Sequence, residues 1–180
     1  MFNAHTLVID TIFYFIKGEF SMWMHHYTKM YKGIAQEDIW KIWIDINNWH
    51  AWFPDVVKAS LYEDFGLNAN FLVQFKDESS VLYRIVKVFD GYKFIAVRKF
   101  WGATLYDTRA LDTSAEGIRL VRTITLSGPL AWFWKYKMSK DIFYKTALEI
   151  ECLVFYTRRM CYMKQEDIVV LPQEQLKVLN

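Results

Sequence analysis

From Val56 to Leu126 apolar and polar residues alternate with a period of two, and after "SGPL" the apolar period becomes helical. That single switch restricts the chain to a run of strands followed by one long helix. The strand region divides into "DVVKASLYE", "NANFLVQFKD", "SSVLYRIVKVFDG", "YKFIAVRKFW", "TLYDTRALD" and "GIRLVRTITLSG", each rich in Val, Ile, Tyr and Phe. Turn residues such as Asp77-Glu78-Ser79, Asp90-Gly91 and Glu116-Gly117 separate them at hairpin length. Gaps this short join antiparallel neighbours, so these six segments predict a meander. Beyond it Leu130, Trp134, Met138, Ile142, Thr146, Ile150 and Val154 recur every four positions, the apolar stripe of a helix over about residues 129–160.

Upstream, "MWMHHYTKMYK" (22–32) alternates loosely and reads as a further strand. "AQEDIWKIWIDI" places Ile39, Trp40, Trp43 and Ile46 at helical spacing, with acids in the first turn where the helix dipole favours them. "NNWHAWFPD" reads as a second short helix stopped by Pro54. The expected class is therefore α+β: seven antiparallel strands around one long helix, with two short helices between strands one and two.

A chain of 180 residues suits one such domain. Charged residues, 23% of the chain, are spread throughout and argue against disorder despite 53% hydrophobic content. A net charge of +2 supplies no concentrated basic face, so nucleic acid is not an expected partner; Arg158-Arg159 reads as a solvated helix end. Cys152 and Cys161, if on one helix, lie roughly 13 Å apart, too far for a disulfide. His5, His25, His26 and His50 form no metal-ligand spacing, and no cofactor is expected. The chain reads as reduced and cytoplasmic.

Residues 1–21 form a separate extension. "HTLVIDTIFYFIKGEF" is interrupted by Asp10, too short to span a bilayer, and lacks the basic start and cleavage site of a signal peptide. Codons for Lys17-Gly18-Glu19 can spell a ribosome-binding sequence, which points to translation from Met22 or Met24; an amphipathic surface helix is the alternative. The expected divisions are this extension, a domain over 22–160 and a C-terminal tail over 161–180, which wraps the surface or frays.

Two stretches, "AQEDIWKIWIDINNWHAWFPDV" and "ITLSGPLAWFWKYKMSK", resemble the START/pollen-allergen superfamily, specifically its bacterial polyketide cyclase/dehydrase-like (SRPBCC) branch. The first is similar to that branch's acidic helix start, aromatic helix and Trp-x-x-Trp; the second to its last strand, Gly-Pro-Leu turn and aromatic helix opening. The resemblance covers roughly residues 22–158. It implies a helix-grip fold and an apolar cavity between sheet and helix, suited to a lipid-, polyketide- or aromatic-like ligand. It does not fix a reaction, because the fold hosts many activities. Trp40, Trp49 and Trp52 are then a packed wall, while Trp43 either shares that face or turns toward solvent.

Alternation proposes what the wall encloses. Phe71, Val73 and Phe75 share one strand face, as do Tyr83 and Ile85; Ile118, Leu120, Ile124 and Leu126 share a face with Arg122. Trp134, Met138, Ile142 and Thr146 of the long helix would oppose them. Arg122 is the exception among aliphatic neighbours, because a buried guanidinium needs an acceptor. Asp107, with Arg109 on the same face, is available on the preceding strand, and His26 lies on the strand expected to pair with the last one. His26, Asp107, Arg109 and Arg122 would form a polar patch at one end of the cavity, orienting a ligand carboxylate or carbonyl, or doing acid/base work. Structural ion pairing is the competing account. If Arg122 anchors an anionic ligand, Arg122→Met should abolish binding and leave apo stability intact. The leading expectation is a noncatalytic binder or carrier of a small hydrophobic ligand, with no integral-membrane role. A cyclase/aromatase-type enzyme using His26 and Arg122, and a protein-interaction module presenting Trp132, Phe133 and Trp134, are the alternatives.

Overall fold

The computed structural model describes residues 7–9, 14–16, 20–76 and 79–170, with side chains over 22–76, 79–138 and 144–163. Two three-residue strands, β1 (Leu7–Ile9) and β2 (Tyr14–Ile16), precede β3 (Phe20–Tyr31). Helix α1 (Gln36–Ile44) and a 3-10 turn (Ile46–Ala51) lead into β4 (Val56–Leu61). The meander follows: β5 (Asn70–Phe75), β6 (Val81–Phe89), β7 (Lys93–Phe100), β8 (Ala103–Ser114) and β9 (Gly117–Gly128). Helix α2 (Ala131–Val170) closes the described chain and runs past the expected end near residue 160.

The seven expected strands form one antiparallel sheet in the order β3-β9-β8-β7-β6-β5-β4. β1 and β2 both pair with the outer edge of β3, so the extension is strand where described rather than the alternative amphipathic helix. First and last long strands are joined: Trp23 pairs with Leu126, His25 with Ile124 and Tyr27 with Arg122. Register shifts between Val56 and Lys58 and between Ile85 and Lys87 add the local twist that curves a sheet around a helix.

The turn that launches α2 depends on close backbone approach. Gly128 has φ +133°, and a Cβ there would lie 2.6 Å from the Gly102 carbonyl oxygen. The same carbonyl accepts the Leu130 N–H at 2.9 Å, which fixes where the helix leaves the sheet.

The aromatic stretch is wall. Trp40, Trp43, Trp49 and Trp52 are all buried, and Trp43, whose direction was open, has no exposed surface. Trp49 donates its indole N–H to the Trp43 carbonyl at 3.0 Å, and Trp40 donates to Asp90 Oδ1 at 3.2 Å. They belong to a large apolar cluster spanning α1, the meander and the later part of α2. A smaller cluster, Trp23, Leu105, Ile124, Leu126 and Ala131, lies under the start of α2. Among the described residues no helix is long and apolar enough to cross a membrane.

Candidate functional site

The two apolar clusters do not meet completely. Between them, under α2, lies a cavity of about 210 Å³. Phe53 and Phe75 reach it from the side of the large cluster, Leu105 and Ile124 from the small one, and Met138 and Thr146 from the helix. Tyr83, packed against both clusters, lies on its wall with its ring stacked on Phe71 at 5.2 Å.

Behind this wall four charges form a network. Arg122 donates from Nε and Nη2 to the two oxygens of Asp107, each at 3.0 Å, and its Nη1 pairs with Glu149 Oε2. Arg109 Nη1 pairs with Glu149 Oε1 at 2.8 Å, and Arg109 Nη2 reaches Asp107 at 3.5 Å. The Arg109 guanidinium also lies 4.5 Å from the Trp49 ring centre, so the tryptophan wall covers the network. Two carboxylates and two guanidiniums make it neutral, which is how four charges are tolerated out of water. Burial opposes ionisation of Asp107, but Arg122 and Arg109 outweigh it and hold its carboxyl below the usual range. Burial, and then the Asp107 charge, push the Tyr83 phenol up, so Tyr83 is a neutral hydroxyl at physiological pH.

Of the residues expected at the site, Phe75, Tyr83, Asp107, Arg122, Ile124, Met138 and Thr146 line the cavity together. Arg109 lies behind them, buried in the network. Phe71 and Val73 border only a small adjoining void, while Ile85 and Leu120 are core. Trp134 is displaced toward the helix start, where it packs on Phe100 with ring centres 4.4 Å apart and donates to the Trp101 carbonyl. The side chain of Ile142 lies outside the described residues.

His26 does not join the polar patch. The pairing of His25 with Ile124 and Tyr27 with Arg122 sends Trp23, His25, Tyr27 and Tyr31 inward, and His26 faces outward to Thr123 Oγ1 at 2.9 Å. His25 takes the inner position at 2% exposure; burial, and next the Arg122 charge, lower its pKa to about 4. The aromatic set on this strand buries more apolar area than the Met/His set, and that decides the parity.

Glu149 and Arg98 were missed. Glu149 lies three positions after Thr146, one helical turn along the same face, where a charge is as anomalous as Arg122 on its strand. Arg98 shares strand parity with buried Phe94 and Ala96, lines the cavity, and hydrogen-bonds Tyr83. Among the described residues no group of His, Cys, Asp and Glu suits a metal ion. Cys152 and Cys161, both on α2, are not joined in a disulfide, and Cys161 Sγ donates to Asp38 Oδ2 at 3.4 Å.

Neither a protein-family profile nor any functionally curated protein matches the sequence. Solved structures match its fold. The di-domain ARO/CYC StfQ from the steffimycin biosynthetic pathway superposes with TM-score 0.63 at 11% identity, over 78% of this chain and 52% of that one. The chain thus spans about half of that di-domain protein. Norcoclaurine synthase from Thalictrum flavum, in complex with dopamine and hydroxybenzaldehyde, gives 0.57 at 10% identity over 84% of this chain and 88% of that one. Ara h 8.0201 gives 0.58 at 13%, over 76% and 99%. With its seven-stranded antiparallel sheet gripping one long C-terminal helix, as in these structures, the chain is a helix-grip protein.

Proposed function

We propose that the chain binds a small hydrophobic ligand in the cavity between the sheet and α2. The observation that carries this is the break in the core. Where the two apolar clusters would otherwise fuse, about 210 Å³ is left between Phe53, Phe75, Leu105, Ile124 and Met138. The gap opens to solvent where the exposed Lys76 and Lys137 line it, so a small molecule can enter it. The neutral ion network gives the cavity a polar floor without a bare charge, with the Tyr83 and Thr146 side chains on its wall. Placement of His26 on the outer face, with Arg122 donating to both oxygens of Asp107 and ion-paired with Glu149, separates the two residues nominated for acid/base chemistry and favours binding over cyclase-type turnover.

Native mass spectrometry of protein purified from its own cells tests this. A bound small molecule should survive gentle ionisation and be lost from Met138→Trp, which fills the cavity from a half-buried helix position. Protein that carries no added mass, or an added mass that Met138→Trp retains, would overturn the proposal.

A further inference from the structure

The charges around the cavity divide unevenly between floor and mouth. On the floor, Asp107, Arg109, Arg122 and Glu149 cancel. At the mouth, the described lining residues are Lys76, Arg98, Lys137 and Lys145 against the single carboxylate of Asp55. That is an excess of three positive charges at one opening (four minus one), while the whole chain carries only +2. Among the described residues the positive charge of the lining is thus gathered at the entrance, where low-dielectric walls focus it.

The rim is also built rather than merely solvated. Lys145 Nζ reaches Asp55 Oδ2 at 3.4 Å, and the Lys76 backbone N–H donates to the Asp55 carbonyl at 3.0 Å. Asp55 therefore ties α2 to the end of β5 across the opening. Lys137 is held over the rings of Phe133 and Trp134, its ammonium 5.2 and 5.8 Å from their centres. Arg98 lies over Phe100 at 4.4 Å. Aromatic surface thus holds two of the four cations beside an apolar chamber.

Resting on the cavity reading above, we propose that the ligand is an organic anion. Its apolar body, of one or two fused rings, lies in the chamber, and its carboxylate, phosphate or sulfonate head lies at the mouth among Lys76, Arg98, Lys137 and Lys145. The floor does not compete for the head, because Arg122 Nε and Nη2 donate to Asp107 and its Nη1 is ion-paired with Glu149. The chamber sets the body's size: about 210 Å³ beside Phe53, Phe75 and Met138 suits a compact ring system.

The test uses two probes with the same ring system, the anion 2-naphthoate and its uncharged methyl ester, titrated by isothermal calorimetry into the full chain. Naphthoate should bind at least about fivefold tighter than the ester at about 20 mM salt, and raising salt to about 300 mM should erode that advantage. In Lys76→Met/Lys137→Met, two exposed positions, the affinities of the two probes should come within about twofold of each other. Ester binding equal to or tighter than naphthoate, or a charge preference that survives the double substitution, overturns the anionic assignment and leaves the cavity reading standing. If neither probe binds, the assignment falls as well, and retention of a native ligand then decides the cavity reading separately.

Discussion

Arg122 has a carboxylate on either side, Asp107 on the neighbouring strand and Glu149 on the helix, and removing it leaves two acids facing Arg109 alone. Arg122→Met should therefore destabilise the apo protein by about 3–5 kcal/mol, since breaking a buried pair strands its partner. This replaces the expectation that apo stability would survive the change, which held only for an Arg122 reserved for ligand. Glu149→Met should cost a similar amount, and the double variant less than the sum, because it leaves the Asp107–Arg109 pair neutral. Urea denaturation of all three measures this; an Arg122→Met protein as stable as the parent would show that the network contributes nothing net. His25 supplies a pH-dependent counterpart. Its folded pKa of about 4 lies below the usual 6.5, so the unfolded chain binds the extra proton between those values. Stability should then fall as pH drops from about 6.5 to about 4, by on the order of 1–2 kcal/mol after allowing for solvent screening. Asp107, held low by Arg122 and Arg109, loses its contribution only below its ordinary value of 3.8, outside that window. Thermal melts of His25→Leu across this range should be flatter than those of the parent, and an unchanged slope would assign the effect to other groups.

At the scale of elements, period carried most of what could be read and register carried what could not. The alternation from Val56 onward marked every strand of the meander, because each segment has one buried face and the Cβ direction alternates. It placed Phe75, Tyr83, Asp107, Arg122 and Ile124 on the inner face, where they meet. β3 failed as a source of parity because "MWMHHYTKMYK" offers two half-apolar faces, and the choice between them is made by pairing with β9. The bulge between Ile85 and Lys87 is likewise set by how β6 meets β7 and leaves no mark on β6 alone. On α2 the four-residue stripe was followed too literally. Steps of four residues drift about 40° each around a helix of 3.6 residues per turn. The buried face of the later half is consequently broader: Thr146, Glu149, Ile150, Leu153, Val154 and Thr157. Glu149 lies within that width and beside the stripe, which is why the partner shared by both arginines was overlooked. Trp132, the exposed member of the proposed interaction patch, is outside the stripe altogether, while Phe133 and Trp134 pack edge to face beside it.

For the whole molecule, one sheet grips one helix, and the grip is tightest away from the cavity. β3 and β9 pair along their full length, and the chamber is lined by every strand from β5 to β9. We propose that the domain that does this is residues 22–160 and that residues 1–21 are not needed for it. β1 and β2 add three residue pairs each to the outer edge of β3, hydrogen bonds that water replaces at little net cost. Without residues 1–21, β3 is still held on its other side by continuous pairing with β9, from Met22–Ser127 to Tyr31–Ile118. Deleting residues 1–21 should therefore change unfolding free energy by no more than about 1 kcal/mol. The cavity is lined from Phe53 onward, so the truncated chain should also keep the parent's affinity for 2-naphthoate. Chemical denaturation and calorimetry on the truncated protein check both. A loss of several kcal/mol, or collapse of solubility when the β3 edge is uncovered, would make β1 and β2 part of the domain and move its boundary to the start of β1.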